Sequence, residues 1–286
     1  MTKRSNVYSA RRSKRPRRKN PVSVASAVAL ALILVAAGIL YAFDNSHAEL
    51  PAIADAEALQ TVIIPDDVSE IKKDYTGFMV SFNPEKHQPN YVVWELTAAE
   101  ASAGGARNSK FRPDPDVYGC ATLADYRNSG FDRGHMAPAA DMKWSEEAMN
   151  DSHFLTNMCP QERKLNGGRW ATLENKCREW AARDSALIIV CGPVLSDRMP
   201  RTIGASRIPV PERFFKVILA PYANPPRGIA FIMPNSPQVD GLRQLATSID
   251  NVEAITGFDF FSALPDTIEN MVESTAKYND WERSRR

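Results

Sequence analysis

An arginine and a histidine two residues apart form the part of the sequence best suited to chemistry. They are Arg133 and His135, in the segment from Asp132 to Met142 that reads DRGHMAPAADM. Histidine can take up a proton near neutral pH, and the charged fork of arginine matches phosphate oxygens. Gly134 lets the backbone turn between them. Residues two apart in an extended segment share a face, so this face is predicted to bind a phosphodiester and to activate water.

A second polar group follows in the chain. It contains the segments LTNMCPQ (155–161) and LNGGRWATLE (165–174). Taken alone, Asn166 is most often interpreted as a helix cap, and Glu174 as a solvated helix residue. On an ideal helix the two are separated by about 80° and about 12 Å. This spacing disfavours direct coordination of one ion by both side chains.

The three motifs together resemble the DNA/RNA non-specific endonuclease family, which has a ββα-metal active site. The family includes secreted bacterial nucleases and the mitochondrial endonuclease G. The resemblance extends from about residue 77 to about residue 273. It implies an α+β fold of the ββα-metal type, with a central, mostly antiparallel sheet flanked by helices. It also implies a Mg²⁺-dependent endonuclease that hydrolyses phosphodiester bonds in DNA and RNA without sequence specificity and leaves 5′-phosphate ends.

The resemblance implies a role for each matching residue of the site. His135 corresponds to the general base and Arg133 to an arginine that contacts phosphate. Asn166 corresponds to the single protein ligand of Mg²⁺, and Glu174 to a carboxylate that holds a metal-bound water. Because Mg²⁺ usually keeps several waters, one asparagine ligand is chemically reasonable. Mn²⁺ or another divalent cation is the alternative.

Three further residues are expected near the site on the same grounds. Arg107 corresponds to an upstream arginine that stabilises the transition state, with Arg112 as the alternative match. Asn157 and Gln161 correspond to polar residues that shape the site and bind substrate.

Charge is unevenly distributed along the chain. Residues 1–43 contain nine Lys and Arg residues and no acidic residue. This leaves 26 of the 35 basic residues against all 34 acidic residues, a net charge of −8 for the remainder. A globally basic DNA-binding surface is therefore not expected. Attraction for nucleic acid must be local, around Arg107, Arg133, Lys164 and Arg169, with help from a metal ion.

The N-terminal region predicts a membrane anchor. Residues 22–43 lack a charged side chain over 22 residues, and about 20 apolar residues span a bilayer. The basic residues before this run indicate a cytoplasmic N-terminus, with the remainder in the periplasm or outside the cell. The alternative is a signal peptide cleaved after Ser46-His47-Ala48, which would yield a secreted protein. Cleaved peptides usually have an apolar core of roughly 7–15 residues, which favours the anchor.

The sequence thus predicts five segments and a set of regular elements. The segments are a basic cytoplasmic tail (1–21), a transmembrane signal anchor (22–43), a tether (44–60), an endonuclease domain (61–278) and a loose tail (279–286). Strands are predicted at 77–82, 91–96, around 133–135, and at 154–158, 186–191, 213–220 and 228–233. Helices are predicted at 121–127, 145–151, 167–183, 252–256 and 265–274, and a long surface loop at 98–118.

The four cysteines are Cys120, Cys159, Cys177 and Cys191, and their spacings do not fit a Cys-x-x-Cys zinc site. Two disulfides with three possible connectivities are one interpretation. The slightly favoured interpretation is that Cys177 and Cys191 are buried thiols.

Two other functions compete with a nuclease. One is a phosphodiesterase that acts on small or nucleotide substrates. The other is a membrane-tethered binding module without turnover, which the presence of His135, Asn166 and Glu174 disfavours.

Overall fold

A seven-stranded sheet forms the centre of the computed structural model, which describes residues 56–106, 109–196 and 200–282. All of these belong to one compact unit within residues 51–286. The strands are β1 (Val62–Ile63), β2 (Ile71–Tyr75), β3 (Phe78–Asn83), β4 (Gln88–Thr97), β5 (Asp132–His135), β6 (Met158–Gln161), β7 (Ala186–Val194), β8 (Thr202–Ile203), β9 (Ile208–Pro209), β10 (Arg213–Ala220), β11 (Arg227–Pro234), β12 (Ala246–Thr247) and β13 (Asp259–Phe260).

The helices lie on both sides of this sheet. They are α1 (Ala98–Ser102), α2 (Leu123–Tyr126), α3 (Glu146–Asp151), α4 (Ala171–Asp184), α5 (Leu242–Leu245), α6 (Ile249–Thr256), α7 (Asp266–Glu273) and α8 (Tyr278–Glu282). Single 3₁₀ turns occupy Ala58–Gln60, Ala139–Met142 and Leu155–Asn157, and a π-helical turn occupies Leu165–Trp170.

The large sheet has the order β12-β11-β10-β7-β4-β3-β2, and every neighbouring pair is antiparallel. Side chains alternate across it, as strand geometry requires. Val92 and Trp94 belong to one buried cluster, whereas Tyr91 and Val93 belong to the other. Both faces are therefore covered, which explains why the central strands are apolar almost throughout. The mostly antiparallel α+β fold expected from the sequence is confirmed.

A strand–strand–helix unit packs on one face of this sheet. Strands β5 and β6 form a separate antiparallel ribbon, and the π-turn and α4 follow directly. Trp170 and Leu173 are fully buried in the cluster on that face, and Trp170 Nε1 donates to the backbone oxygen of His135 at 3.3 Å. This contact fixes the helix to the ribbon and brings the two sequence motifs together.

Four local predictions were wrong. The loose tail expected at 279–286 begins within helix α8, because Trp281 is buried against Trp180. The loop expected at 98–118 begins with helix α1, which has a capping box between Thr97 and Glu100. The strand expected at 154–158 begins only at Met158, because 155–157 form a 3₁₀ turn. The helix expected from residue 167 starts two residues earlier, as a π-turn.

Two other expectations concern the cysteines and the membrane anchor. All four cysteines are free thiols, which confirms the buried-thiol interpretation for Cys177 and Cys191. Among the described residues, no helix is long and apolar enough to cross a membrane. The anchor predicted at 22–43 lies outside the described ranges.

Candidate active site

Strand β5 presents Arg133 and His135 on one face, as the sequence predicted. Both side chains contact Phe111: the guanidinium carbon of Arg133 lies 4.4 Å from the ring centre, and the His135 ring centre lies 5.3 Å from it. Gly134 between them pairs with Cys159 of β6. Phe111 thus supports both groups from the preceding loop.

The His135 imidazole is poised as a neutral proton acceptor. Its Nε2 is buried and has no hydrogen-bond partner among the described residues. Burial, followed by the charges of His153 and Arg133, lowers the pKa of His135 to about 3. The imidazole is therefore neutral at neutral pH, and one of its two ring nitrogens has a lone pair that can accept a proton.

His153 is a site neighbour that the sequence did not reveal. Its ring centre lies 5.1 Å from those of both His135 and Phe111. The residue is buried, and its Nδ1 lies 2.9 Å from the carbonyl oxygen of Met149 at the end of α3. That bond fixes the ring edge that packs on His135. Nothing in the sequence around His153, which follows a short helix, predicts that its ring contacts His135.

Asn166 lies on the π-turn and is oriented by Asp132. Its Nδ2 donates to Asp132 Oδ2 at 3.1 Å, and Arg163 Nε donates to Asp132 Oδ1 at 3.2 Å. Because the amide nitrogen is held by the carboxylate, the amide oxygen of Asn166 remains as an acceptor. Asp132 was part of the recognised motif, but its orienting contact depends on the fold.

The segment before Asn166 is fixed by two side chains. Glu162 Oε2 accepts hydrogen bonds from the backbone nitrogens of Lys164 at 2.6 Å and Leu165 at 3.0 Å. Asn235, just after β11, accepts from the nitrogen of Glu162 at 2.7 Å and donates to the carbonyl of Pro160 at 3.1 Å. A residue more than seventy positions away thus sets the entry into the π-turn, which sequence reasoning missed.

The π-turn changes the relation between Asn166 and Glu174. A π-turn closes hydrogen bonds over five residues rather than four, so each residue rotates less than in an α-helix. The rotation between the two positions is therefore smaller than the value of about 80° expected for an α-helix. Burial raises the pKa of Glu174 to about 7, against the opposing charges of Lys216 and Arg178.

A buried charged group lies behind Glu174. Lys216 of β10 is 1% exposed, and its Nζ lies 4.5 Å from the Trp170 ring centre and 5.1 Å from that of Trp94. Arg178 of α4 pairs with buried Asp141 at 2.6 Å. These cations favour the ionised form of nearby carboxylates, and the sequence did not point to Lys216.

The structure gives Asn157 a different role from the substrate-binding one expected. Its Nδ2 donates to the carbonyl oxygens of Ala137 and Ser152, both at 2.9 Å, and its Oδ1 accepts from the Ala137 nitrogen at 2.9 Å. The residue is fully buried. It therefore fixes the chain after His135 instead of presenting a group to a ligand.

Gln161 is also fully buried and packs against Gly134. Neither atom of its amide group has a hydrogen-bond partner among the described residues. Within the described residues, its side chain thus leaves one donor group and one acceptor unused inside the ribbon that presents Arg133 and His135.

Of the two candidate upstream arginines, Arg112 is engaged elsewhere. Its guanidinium lies 3.8 Å from the Phe154 ring centre, donates to the carbonyl of Asn150 at 2.8 Å and faces Asp151 at 3.9 Å. Arg107 lies outside the described residues.

An open cleft of about 890 Å³ runs past the site. Arg133 and Asn166 line it, together with the exposed cations Arg127 and Arg163. Near it, the guanidinium of Arg201 lies 4.7 Å from the centre of the Phe131 ring. The cleft therefore combines local positive charge with aromatic surface, although the chain outside residues 1–43 has a net charge of −8.

These features, an antiparallel sheet carrying a ββα unit with a histidine on its first strand and an asparagine on the turn before its helix, agree with known nucleases. The model of the DNA/RNA non-specific endonuclease family matches residues 56–267. "Nuclease 1, mitochondrial" of Schizosaccharomyces pombe is 34% identical over 247 residues, covering 78% of this chain and 76% of that protein. "Endonuclease G, mitochondrial" of Homo sapiens is 32% identical over 206 residues, covering 66% and 68%.

A solved structure supports the same assignment. A chain in the crystal structure of the EndoG/EndoGI complex superposes with a TM-score of 0.63 at 26% identity, covering 68% of this chain and 86% of that one. The chain belongs to the DNA/RNA non-specific endonuclease family and is a nuclease that acts on nucleic acids. Nucleases of this family depend on a divalent metal ion.

Proposed function

We propose that the chain hydrolyses phosphodiester bonds in DNA and RNA with Mg²⁺, with His135 as general base and Asn166 as the protein ligand of the ion. The observation that carries the proposal is the Nε2 of His135, which has no hydrogen-bond partner among the described residues and lies on the strand face of Arg133, while Arg133 and Asn166 line one cleft.

The residues fit a hard divalent cation. Mg²⁺ prefers oxygen ligands and keeps several of its waters. The amide oxygen of Asn166 is available because its nitrogen is bound to Asp132, and Glu174, eight residues further along the chain, is the carboxylate proposed to hydrogen-bond to water. When bound, such an ion supplies Lewis-acid stabilisation of the phosphate and of the leaving 3′ oxygen.

The protein side chains have separate tasks in this mechanism. His135 accepts a proton from the water that attacks phosphorus in line. Arg133 neutralises charge that grows on the phosphate oxygens, and Arg107 is proposed to do the same. Glu174 would act in its ionised form, as a hydrogen-bond acceptor for water of a bound ion.

Substrate would follow the cleft. Arg127, Arg163 and Arg201 offer charge to the phosphate backbone, and Phe131 offers a stacking surface. Contacts to the phosphate backbone do not distinguish one base from another, which supports cleavage without sequence specificity.

The test compares three substrates: supercoiled plasmid, RNA and a chromogenic small diester, each in Mg²⁺ and in EDTA. We expect metal-dependent degradation of both nucleic acids at rates far above that of the small diester. A preference for the small diester would favour the phosphodiesterase alternative, and a folded, Mg²⁺-loaded protein without turnover would favour the binding module.

The Asp132→Ala variant tests the metal ligand. Asn166 would lose the carboxylate that orients it. Loss of a residue that hydrogen-bonds to a metal ligand costs about 10–100-fold in metal affinity. We expect the Mg²⁺ concentration for half-maximal activity to rise by about that factor. An unchanged Mg²⁺ requirement would remove the support for Asn166 as a ligand.

The cellular placement is a second part of the proposal. The uncharged run at 22–43 behind a basic segment supports a single-pass anchor with a cytoplasmic N-terminus and an extracytoplasmic nuclease domain. Protease added to spheroplasts, from which the cell wall and any outer membrane have been removed, should digest the nuclease domain. Full protection in spheroplasts, with digestion only after lysis of the cytoplasmic membrane, would contradict this topology.

A further inference from the structure

A group of carboxylates lies on the opposite face of the sheet from the active site. Helices α6 and α7 pack there against β11, through apolar residues such as Val252 and Val272. Asp250, Glu253 and Glu273 project from these helices, and one carboxylate oxygen of each lies within 4.8 Å of those of the other two. The active-site elements belong to the other face, so this group is separate from the proposed nuclease metal.

Glu273 provides a second observation that points to a ligand. The residue is only 7% exposed, and its Oε1 is buried without a hydrogen-bond partner among the described residues. A buried carboxylate without a partner is costly. Glu253 uses its Oε1 to accept from the nitrogen of Phe260 at 2.9 Å, which holds this carboxylate in place.

The surroundings are acidic as well. Glu269 and Asp259 add their charges, and none of the five carboxylates forms an ion pair within the described ranges. Burial, together with these neighbouring acids, raises the pKa of Glu273 to about 9, so this side chain keeps its proton at neutral pH while no cation is bound. A bound cation would displace that proton and would balance the charges of the neighbouring acids.

We propose that Asp250, Glu253 and Glu273 bind a divalent cation of the calcium class. Ca²⁺ takes six to eight oxygen ligands in flexible geometry, with carboxylates binding through one or both oxygens. Mg²⁺ demands near-octahedral geometry and is usually held by one or two carboxylates. Three carboxylates on two helices, with no nitrogen or sulfur donor among them, fit Ca²⁺ better. The bound ion links α6 to α7 and stabilises this side of the sheet.

The experiment is a Ca²⁺ titration of the full chain at fixed, saturating Mg²⁺, which fills the nuclease metal site. Thermal unfolding and equilibrium binding of radioactive Ca²⁺ are measured for the wild type and for Glu273→Gln. The matched control is Asp67→Asn, which removes an exposed carboxylate that is not one of the three proposed ligands. The Asp250→Asn variant at an exposed position provides a second test if Glu273→Gln fails to fold.

At Ca²⁺ a hundred times its dissociation constant, we expect the Tm of the wild type and of Asp67→Asn to rise by about 5–10 °C. Glu273→Gln and Asp250→Asn should lose most of this rise and bind one Ca²⁺ fewer, yet keep Mg²⁺-dependent nuclease activity. The proposal is overturned if the wild type shows no rise, if the variants show the full rise, or if extra Mg²⁺ has the same effect as Ca²⁺.

Discussion

Gly134 lies between the two residues on which the mechanism depends, and its replacement by alanine tests how closely the ribbon is packed. An ideal Cβ at this position would lie 2.5 Å from the Cβ of Gln161, 2.2 Å from its Oε1 and 2.8 Å from its Cδ. Carbon atoms in contact are about 3.5–4.0 Å apart. The Gln161 amide can rotate away, but its Cβ is fixed to the backbone. Strands β5 and β6 must therefore move apart by about 1 Å.

That displacement is expected to affect both the stability of the protein and its rate of cleavage. Overpacking of this kind costs about 1–3 kcal/mol of stability. A misplacement of about 1 Å at a catalytic group can cost about 10²-fold in rate. We therefore expect Gly134→Ala to lower Mg²⁺-dependent plasmid cleavage by about 10²-fold while the protein stays folded, with Tm reduced by about 2–12 °C.

The control is Gly167→Ala in the π-turn, where an added Cβ meets nothing within 4 Å. This variant should cleave plasmid at close to the wild-type rate. Adding Gln161→Gly to Gly134→Ala removes all three clashing atoms and should restore much of the Tm, whereas Gln161→Ala retains the Cβ and should restore little. Normal cleavage and normal Tm in Gly134→Ala would refute the reasoning.

Two further predictions concern buried charges. Burial raises the pKa of Glu174 to about 7, and the Lys216 ammonium opposes that rise; Lys216→Met should therefore shift the rising limb of the activity–pH profile to higher pH, and an unchanged profile would contradict the proposed role of Glu174. Burial alone would raise the pKa of Asp184, but hydrogen bonds from Arg183 and Arg227 outweigh it and hold that pKa below its ordinary value. A depressed pKa adds stability above the ordinary value near 4, and that stability is lost as pH falls through the folded-state pKa. Asp184→Asn should lower Tm at pH 7 and reduce the loss of Tm on acidification below pH 4; equal pH dependence in both proteins would argue against this pair.

The sequence predicted the elements whose signals are local. Strand β5 and helix α4 follow from short motifs and from apolar spacing. Helix α3 lies within the expected range 145–151, where Ser145 accepts from the backbone nitrogens of Glu147 and Ala148. The strands expected at 77–82 and 91–96 are confirmed as the antiparallel pair β3 and β4. In each case the physical cause lies within a few residues of the effect.

The parts that sequence reasoning missed depend on contacts between distant segments. Asn235 fixes the π-turn from beyond β11, and Lys216 reaches the back of the site from β10. His153 approaches His135 only because α3 and a 3₁₀ turn bring the chain back. Neither composition nor periodicity predicts contacts between segments that are distant in the sequence. Asn157 is the opposite case: it belongs to a recognised motif, but its side-chain amide bonds to backbone groups and not to a ligand.

The central claim is that His135 is the general base, and the most direct test is the rate of Mg²⁺-dependent plasmid and RNA cleavage by His135→Ala. We expect a loss of about 10²–10⁴-fold, the usual contribution of a general base, with the same thermal unfolding as the wild type. A variant that folds normally and cleaves both substrates at close to the wild-type rate would contradict the mechanism.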